Sequence, residues 1–452
     1  MIDLNDQGRK EIVDRVIKYI QDEKIKFARL QFIDINGILK SFSVSTRYIE
    51  DTLDHGQYFD GSSITGMGRI EESDFIAIPD PSTFATIPWR SKELSTCRFI
   101  CDVYLPNDKP YEGDPRYVLK MAVAAAKKEG FIYKCAPELE FFILKEEKST
   151  IPQPIDFSGY FDLHPGGISE DIRRKMADTA EHFGIDIEVA HHEVAVGQNE
   201  IDFRYDEVML TADRTITMKM VIKSIAKRNG YLATFMPKPF FGINGSGMHV
   251  HQSLWTSKNE NAFYTNDVTT GYLSDIALYF IGGQLLHGRE MSAILASWPN
   301  SYKRLVPGYE APVYVAYAYK NRSALIRVPD FGKRPNAARM EIRCPDPAGN
   351  PYLQFAALLY AGLDGIRQKI YPPEPTELNV YKMTYEERRE RGIISLPESL
   401  SEALKEMEES KLMHEALLPT AYKNFLAIKW KEWDEYRMQV TNWELERYIQ
   451  RL

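Results

Sequence analysis

Cysteine is scarce in this chain: Cys97, Cys101, Cys135 and Cys344 are the only four in 452 residues. That is too few and too scattered for a disulfide framework, so they read as buried thiols. Long apolar runs are missing as well. No stretch reaches the roughly 18 uncharged apolar residues of a membrane span, and the charged opening lacks the apolar core of a secretory signal. A membrane role is therefore excluded and a cytoplasmic location expected. Positive charge is not in excess either, since 56 Lys and Arg against 64 Asp and Glu leave a net charge of -8. That balance argues against a nucleic-acid partner. No GxxxxGK[ST] motif occurs, so any nucleotide must be held without a P-loop. Repeats and low-complexity runs are absent.

With 44% hydrophobic and 27% charged residues, the chain reads as a globular protein of two or three domains. Ile12, Val13, Val16, Ile17 and Ile20 share one helical face, which predicts an amphipathic opening helix. Ala28, Leu30 and Phe32 alternate with Arg29 and Gln31, and Asn36-Gly37 then announces a hairpin before Ile38 to Val44. A small β-rich domain over residues 1–110 is expected, followed by a larger one over 111–452. In the larger domain Asp114-Pro115 starts a helix over 115–129 closed by Gly130, and a second over 170–183 is closed by Gly184. Alternating strands between such helices suit an antiparallel sheet lining a polar cavity. From about residue 400 the pattern turns helical, with Trp430, Trp433 and Trp443 in a charged background. The fold class expected is α+β.

Side chains at i and i+2 of a strand share a face, so Glu138 and Glu140 point together while Leu139 and Phe141 anchor the other side. The same device places Arg339, Glu341 and Arg343 on one face, and His249, His251 and Ser253 on another. Taken singly, each is an ordinary solvated sheet face with an apolar back; three together, all carrying ligand-type groups, point to a site. Glu193 and Glu200 flank a glycine-containing turn that can fold both acids towards one point. If Glu138, Glu140, Glu193, Glu200 and Glu341 meet, their mutual repulsion requires dications. Oxygen-rich ligands with one histidine suit Mg²⁺ or Mn²⁺, and thiolate ligands for zinc are lacking. Arg304, Arg322, Arg327 and Arg343 suit an anionic substrate and a transferring phosphoryl group. The glycine-rich stretch Asn244-Gly-Ser-Gly-Met-His249 runs into a strand and reads as close backbone approach to a small ligand.

Six segments in order resemble the type I glutamine synthetase family: Phe59-Asp-Gly-Ser-Ser63, Glu138-Leu-Glu140, His191-His-Glu-Val, Asn244 to His249, Asn300-Ser-Tyr-Lys-Arg304 and Arg339-Met-Glu-Ile-Arg343. The resemblance implies a β-grasp N-terminal domain, a catalytic domain on a curved antiparallel sheet, and a homo-dodecamer of two hexameric rings with sites between subunits. It implies synthesis of L-glutamine from L-glutamate, ammonium and ATP through γ-glutamyl phosphate. By the same resemblance Glu140, Glu193 and Glu200 would hold one Mg²⁺, and Glu138, His249 and Glu341 the other. Arg304, Arg343, Asn244 and Gly245 would grip glutamate; Arg322 and Arg327 would steady the moving phosphate; Glu188, His251 and Ser253 would touch ATP. Asp60 of a neighbouring subunit would take ammonium, with Ser63 intact beside it, and Glu310 would sit on a closing flap. Asn379 to Arg389 resembles the α-type subgroup, which implies no control by adenylylation. Arg69 resembles the arginine of glutamine feedback, and a PII-like regulatory protein is an implied partner. Ala416 to Ala421 departs from the family pattern, a matter for the packing of the C-terminal helices.

Three rivals remain at this level. A γ-glutamyl ligase for an organic amine is disfavoured by Asp60, because such relatives often lose the ammonium site. A non-catalytic nitrogen-sensing paralogue would be expected to lack metal ligands or arginines present here. A two-metal hydrolase leaves four arginines without a role.

Overall fold

The opening apolar stripe forms helix α1 (Gln7–Asp22), with Val13, Val16 and Ile20 buried against the first sheet. The computed structural model describes residues 7–67, 73–146, 152–163 and 166–452. The first sheet contains β1 (Phe27–Ile33), β2 (Leu39–Ser45), β3 (Gln57–Asp60), β4 (Asp74–Pro79), β5 (Ala85–Thr86) and β6 (Thr96–Tyr104). Its order is β2-β1-β6-β4-β3, with β5 paired to β6, and β1 and β6 run parallel. Helix α2 (Ile49–His55) joins β2 to β3. The hairpin forms where expected but is longer than a two-residue turn: Ile33 faces Leu39, and Asp34 Oδ1 accepts from the backbone of Asn36 and Ile38. Gly37 supplies the positive φ, 83°, that this loop requires.

The second sheet is built around β7 (Phe131–Lys145), a strand long enough to serve different partners at its two ends. The remaining strands are β8 (Ile187–His192), β9 (Gln198–Phe203), β10 (Asp206–Glu207), β11 (Tyr231–Thr234), β12 (Val250–Thr256), β13 (Tyr317–Ala318), β14 (Ile326–Arg327) and β15 (Met340–Ile342). The order is β13-β14-β15-β12-β7-β9-β8, with β10 and β11 also on β7. β12 pairs with β7 from Phe131 to Pro137 and β11 from Phe142 to Lys145. The gap between them is filled by the glycine-rich segment, whose His249 and Gly247 carbonyls accept from Glu138 N at 2.9 Å and Glu140 N at 3.3 Å. The curl of this sheet turns the β7, β9, β12 and β15 side chains towards one concavity.

Helix α3 (Pro115–Lys128) is capped by Asp114, which accepts from Arg116 N, and ends before Gly130 as predicted. Helix α4 (Ile168–His182) begins two residues earlier than the glycine-bounded pattern suggests, and α5 (Val208–Arg228) packs along the convex face. The core's centre is the helix Pro351–Gln368, buried almost throughout. Beyond residue 400 the chain is helical as expected, over Leu400–Glu409, Lys411–Leu417, Pro419–Arg437 and Asn442–Tyr448. The unusual Ala416 to Ala421 stretch is a junction: Leu418 takes a positive φ of 61° and Pro419 opens the next helix, while Ala416, Leu417 and Ala421 stay in the core. All four cysteines are free and buried. Among the described residues no helix is long and apolar enough to cross a membrane.

Candidate active site

The two-residue period of β7 works as the sequence demands: Leu139 and Phe141 are fully buried in the core, and Glu138 and Glu140 face the concavity. β9 runs antiparallel beside it, placing Asp202 opposite Glu138 and Glu200 opposite Glu140. On the other side His249 Nδ1 lies 2.8 Å from Glu138 Oε2 and 3.7 Å from Glu341 Oε1, and His251 Nε2 lies 2.8 Å from Glu138 Oε1. Glu341, on β15, accepts from Arg343 Nη1 at 2.6 Å and from Arg327 Nη1 at 2.8 Å. Its neighbours Met340 and Ile342 face the core.

All five carboxylates expected to meet do line one cavity of about 260 Å³, together with His249, Asn244, Gly245, Arg304, Glu310, Arg322, Arg327 and Arg343. A second cavity of about 450 Å³ is lined by Glu188, His251 and Ser253 as well as Arg339 and Asp202. Glu138 stands in the wall of both. Asn244 Nδ2 donates to Glu310 Oε2 at 3.1 Å, across the cavity mouth. Glu310 carries a positive φ of 58°, an uncommon conformation for a side-chain-bearing residue. Protein neighbours by themselves already leave little room for a side chain at the glycines of the 244–249 segment. A Cβ at Gly247 would lie 2.3 Å from Arg304 Nη2, and one at Gly245 would lie 2.1 Å from the Pro237 carbonyl.

Asp60 is not in either cavity. It ends β3, exposed, its Oδ1 accepting from Ser62 N at 2.8 Å, and Ser63 beside it is exposed too. Arg69 lies outside the described residues. Sequence reasoning missed Asp202, His191 and Gln198. Asp202 follows Glu200 at the same two-residue spacing used to find Glu138 and Glu140, so the signal was available. His191 Nε2 lies 3.1 Å from Glu200 Oε1, and Gln198 Nε2 donates to Glu140 Oε2 at 2.9 Å; these contacts depend on strand register.

The charges in this concavity are unevenly matched. Burial pushes Glu138 up, but the His249 and His251 rings on its oxygens hold it well below the usual carboxylate range. Glu140, buried beside Glu200 and Glu193, is held well above that range. Burial and Glu200 push Glu193 up to about 7, and burial with Glu200 and Glu138 raises Asp202. Asp202 Oδ1 is moreover buried without a hydrogen-bond partner. Carboxylates that bind protons for want of positive charge, with an orphaned oxygen among them, fit divalent cations taken through oxygen. Two trios offer ligand atoms within 4.8 Å of one another: Glu138, His249 and Glu341, and His191, Glu200 and Asp202.

Comparison with known proteins agrees with this geometry. Residues 24–106 match the model of the glutamine synthetase β-grasp domain and residues 112–448 that of the glutamine synthetase catalytic domain. A glutamine synthetase of Methanosarcina mazei is 50% identical over 439 residues, covering 97% of each chain. One from Thermotoga maritima is 48% identical, covering 97% of this chain and 99% of its own. Among solved structures, Plasmodium falciparum glutamine synthetase superposes with a TM-score of 0.87 at 26% identity, covering 96% of this chain and 98% of its own. A GmaS/ADP complex gives 0.87 at 31%, covering 96% and 99%. With both domain models matched in order and relatives half identical from end to end, the chain belongs to the glutamine synthetase family.

Proposed function

We propose that this chain joins ammonia to the γ-carboxylate of L-glutamate at the expense of ATP, releasing L-glutamine, ADP and phosphate. The observation that carries this reading is the meeting of metal-type carboxylates with four arginines in one concavity, whose Glu138 also lines a second cavity. The family uses ATP and divalent metals. We assign two cations: Glu138, His249 and Glu341 would hold one, and Glu140, Glu193 and Glu200 the other, with His191 and Asp202 close to the second. When bound, such cations supply charge neutralisation and orientation for phosphoryl transfer.

The residues of the chain supply the rest. Arg304 is buried with its guanidinium anchored on the carbonyls of Arg343, Cys344 and Pro345, a rigid positive wall for the glutamate α-carboxylate together with Arg343 and the Asn244-Gly245 backbone. Arg322 and Arg327, in the same cavity, would balance charge on the phosphoryl group as it moves to the glutamate oxygen to form γ-glutamyl phosphate. Glu188, His251 and Ser253 would receive ATP in the larger cavity. Glu310, tied to Asn244, would close over the acyl phosphate and keep water from hydrolysing it. Ammonia then attacks the acyl carbon and phosphate leaves. Asp60, exposed and remote from its own cavity, suits a role in a neighbouring subunit's site, where it would hold ammonium and accept its proton.

The same reading extends to a division into domains near residue 110, a homo-dodecamer of two hexameric rings, α-type regulation with glutamine feedback through Arg69, a PII-like partner and a cytoplasmic location. Support for these comes from the sequence resemblance and, for the last, from the four unpaired thiols. The test is phosphate release from ATP with glutamate and Mg²⁺, with ammonium, ethanolamine, putrescine or no amine, in wild type and Asp60→Ala. Ammonium-dependent turnover that Asp60→Ala largely abolishes is the expected result. Turnover with organic amines alone would make the chain a different γ-glutamyl ligase, and none at all would make it a sensor.

A further inference from the structure

Gln198 opens β9 directly after the turn at Gly197, whose φ is 69°, and stands in the wall of the catalytic cavity with only 1% of its surface exposed. Both hydrogens of its side-chain amide are used inside the site: Nε2 donates to Glu140 Oε2 at 2.9 Å and to the Gly245 carbonyl at 3.1 Å. Oε1 accepts from Ala195 N at 3.2 Å. These partners fix the sense of the amide, because a flipped group would set its NH2 against the Ala195 N–H and its oxygen against a carboxylate and a carbonyl. The backbone carbonyl of Gln198 accepts from Glu193 N at 2.9 Å, so the same residue also holds the turn that carries Glu193.

Glu140 Oε2 takes a second donor, Gly247 N at 2.9 Å, while Oε1 accepts from no described residue. The two donors leave Oε1 as the oxygen that a cation can take, as the supporting hydrogen bonds of a ligating carboxylate generally do. Gln198 thereby ties a metal-type carboxylate on β7 to the main chain of the Asn244 to His249 segment.

Building on the proposed function, we infer that Gln198 is a positioning residue through which the cation on Glu140 and the glutamate on the Asn244-Gly245 backbone bind cooperatively. One NH2 group donating to two acceptors cannot follow one without moving the other. Once Glu140 is fixed, the Gly245 carbonyl is fixed with it, and by linkage glutamate tightens the cation as much as the cation tightens glutamate.

Binding alone tests this, on the full-length assembled enzyme without nucleotide. The glutamate Kd is measured calorimetrically with and without Mn²⁺, and the Mn²⁺ Kd by electron paramagnetic resonance with and without glutamate. In wild type each should tighten the other by the same factor, about fivefold or more. Gln198→Met, which nearly keeps the volume and removes both donors, should still bind Mn²⁺ while that factor falls at least about threefold. Gln198→Asn, whose amide is too short to reach both acceptors, should do the same if thermal unfolding shows the first variant to be poorly folded. A smaller fall in a folded variant overturns the proposal and leaves the proposed function standing. Independent binding of Mn²⁺ and glutamate in wild type overturns it as well. Wild type that binds neither removes the proposed function, and the role of Gln198 with it.

Discussion

At the scale of single residues, Glu341 ties two arginines to the metal-type ligands. At 1% exposure it accepts from Arg327 and Arg343 and lies beside His249. Glu341→Ala leaves two guanidinium groups without their acceptor and removes a metal-type ligand. We expect glutamine formation to fall about 100-fold or more, with a weakened Mg²⁺ dependence; an unchanged metal titration would remove it from the site. Glu310 makes a different prediction, because the task proposed for it is to exclude water. Glu310→Ala should release more phosphate than it forms glutamine, a ratio above unity measured by assaying both products. If the ratio stays at unity while the rate falls, Glu310 is not a lid.

Among elements, the clearest joint is His287, between the helices Asp275–Leu286 and Gly288–Leu295. Its Nδ1 lies 2.9 Å from Glu290 and its Nε2 2.9 Å from Asp364 on the central helix, and Glu290 also accepts from Ser410. Burial pulls the His287 ring down, but the two carboxylates more than reverse this, so its pKa is raised above 6.5. A raised pKa in the folded state means stability present below the unfolded value and lost as pH rises through the folded one. The stability difference between wild type and His287→Gln, from thermal unfolding, should therefore shrink as the pH rises above about 6.5. A difference that grows with rising pH would contradict the ion-pair assignment. Elements were well read from the sequence where their signals are local. Asp114-Pro115 and Gly130 bracket α3 because a cap and a left-handed stop act within a few residues. The loop announced by Asn36-Gly37 spans Asp34 to Ile38, a length that the dipeptide does not carry because it is set by the Ile33–Leu39 pairing and the Asp34 carboxylate.

For the whole molecule, the two domains are pinned by Arg116. Its guanidinium reaches Asp102 at 2.6 Å, Asp80 at 2.8 Å and Asp213 at 2.9 Å, with Tyr352 OH donating to Asp213. Arg116→Met leaves the largely buried Asp102 and Asp213 without their guanidinium partner. Breaking such a network from one side costs about 3–5 kcal/mol, so a markedly lower denaturation midpoint is expected. A loss within about 0.5 kcal/mol, as at ordinary surface sites, would show the joint to be held by apolar packing instead.

The residue types of the chemistry were written in the sequence. Strand alternation has a period of two, so Glu138 with Glu140, and Glu341 with Arg343, could be set on common faces from their spacing alone. Which of those faces meet was not. His249 and Glu138 are 111 residues apart in the chain, and the pairing of Glu138 with Asp202 exists only once β7 and β9 take their register. A slip of one residue would turn every carboxylate to the core, and register is set by long-range packing. The sequence by itself thus determined the acids, arginines and local elements, whose causes act over a few residues. Only the tertiary structure decided that five acids share a cavity, that Glu138 also walls a second one, and that Asp60 stands apart, because those facts belong to the closure of a sheet from distant segments.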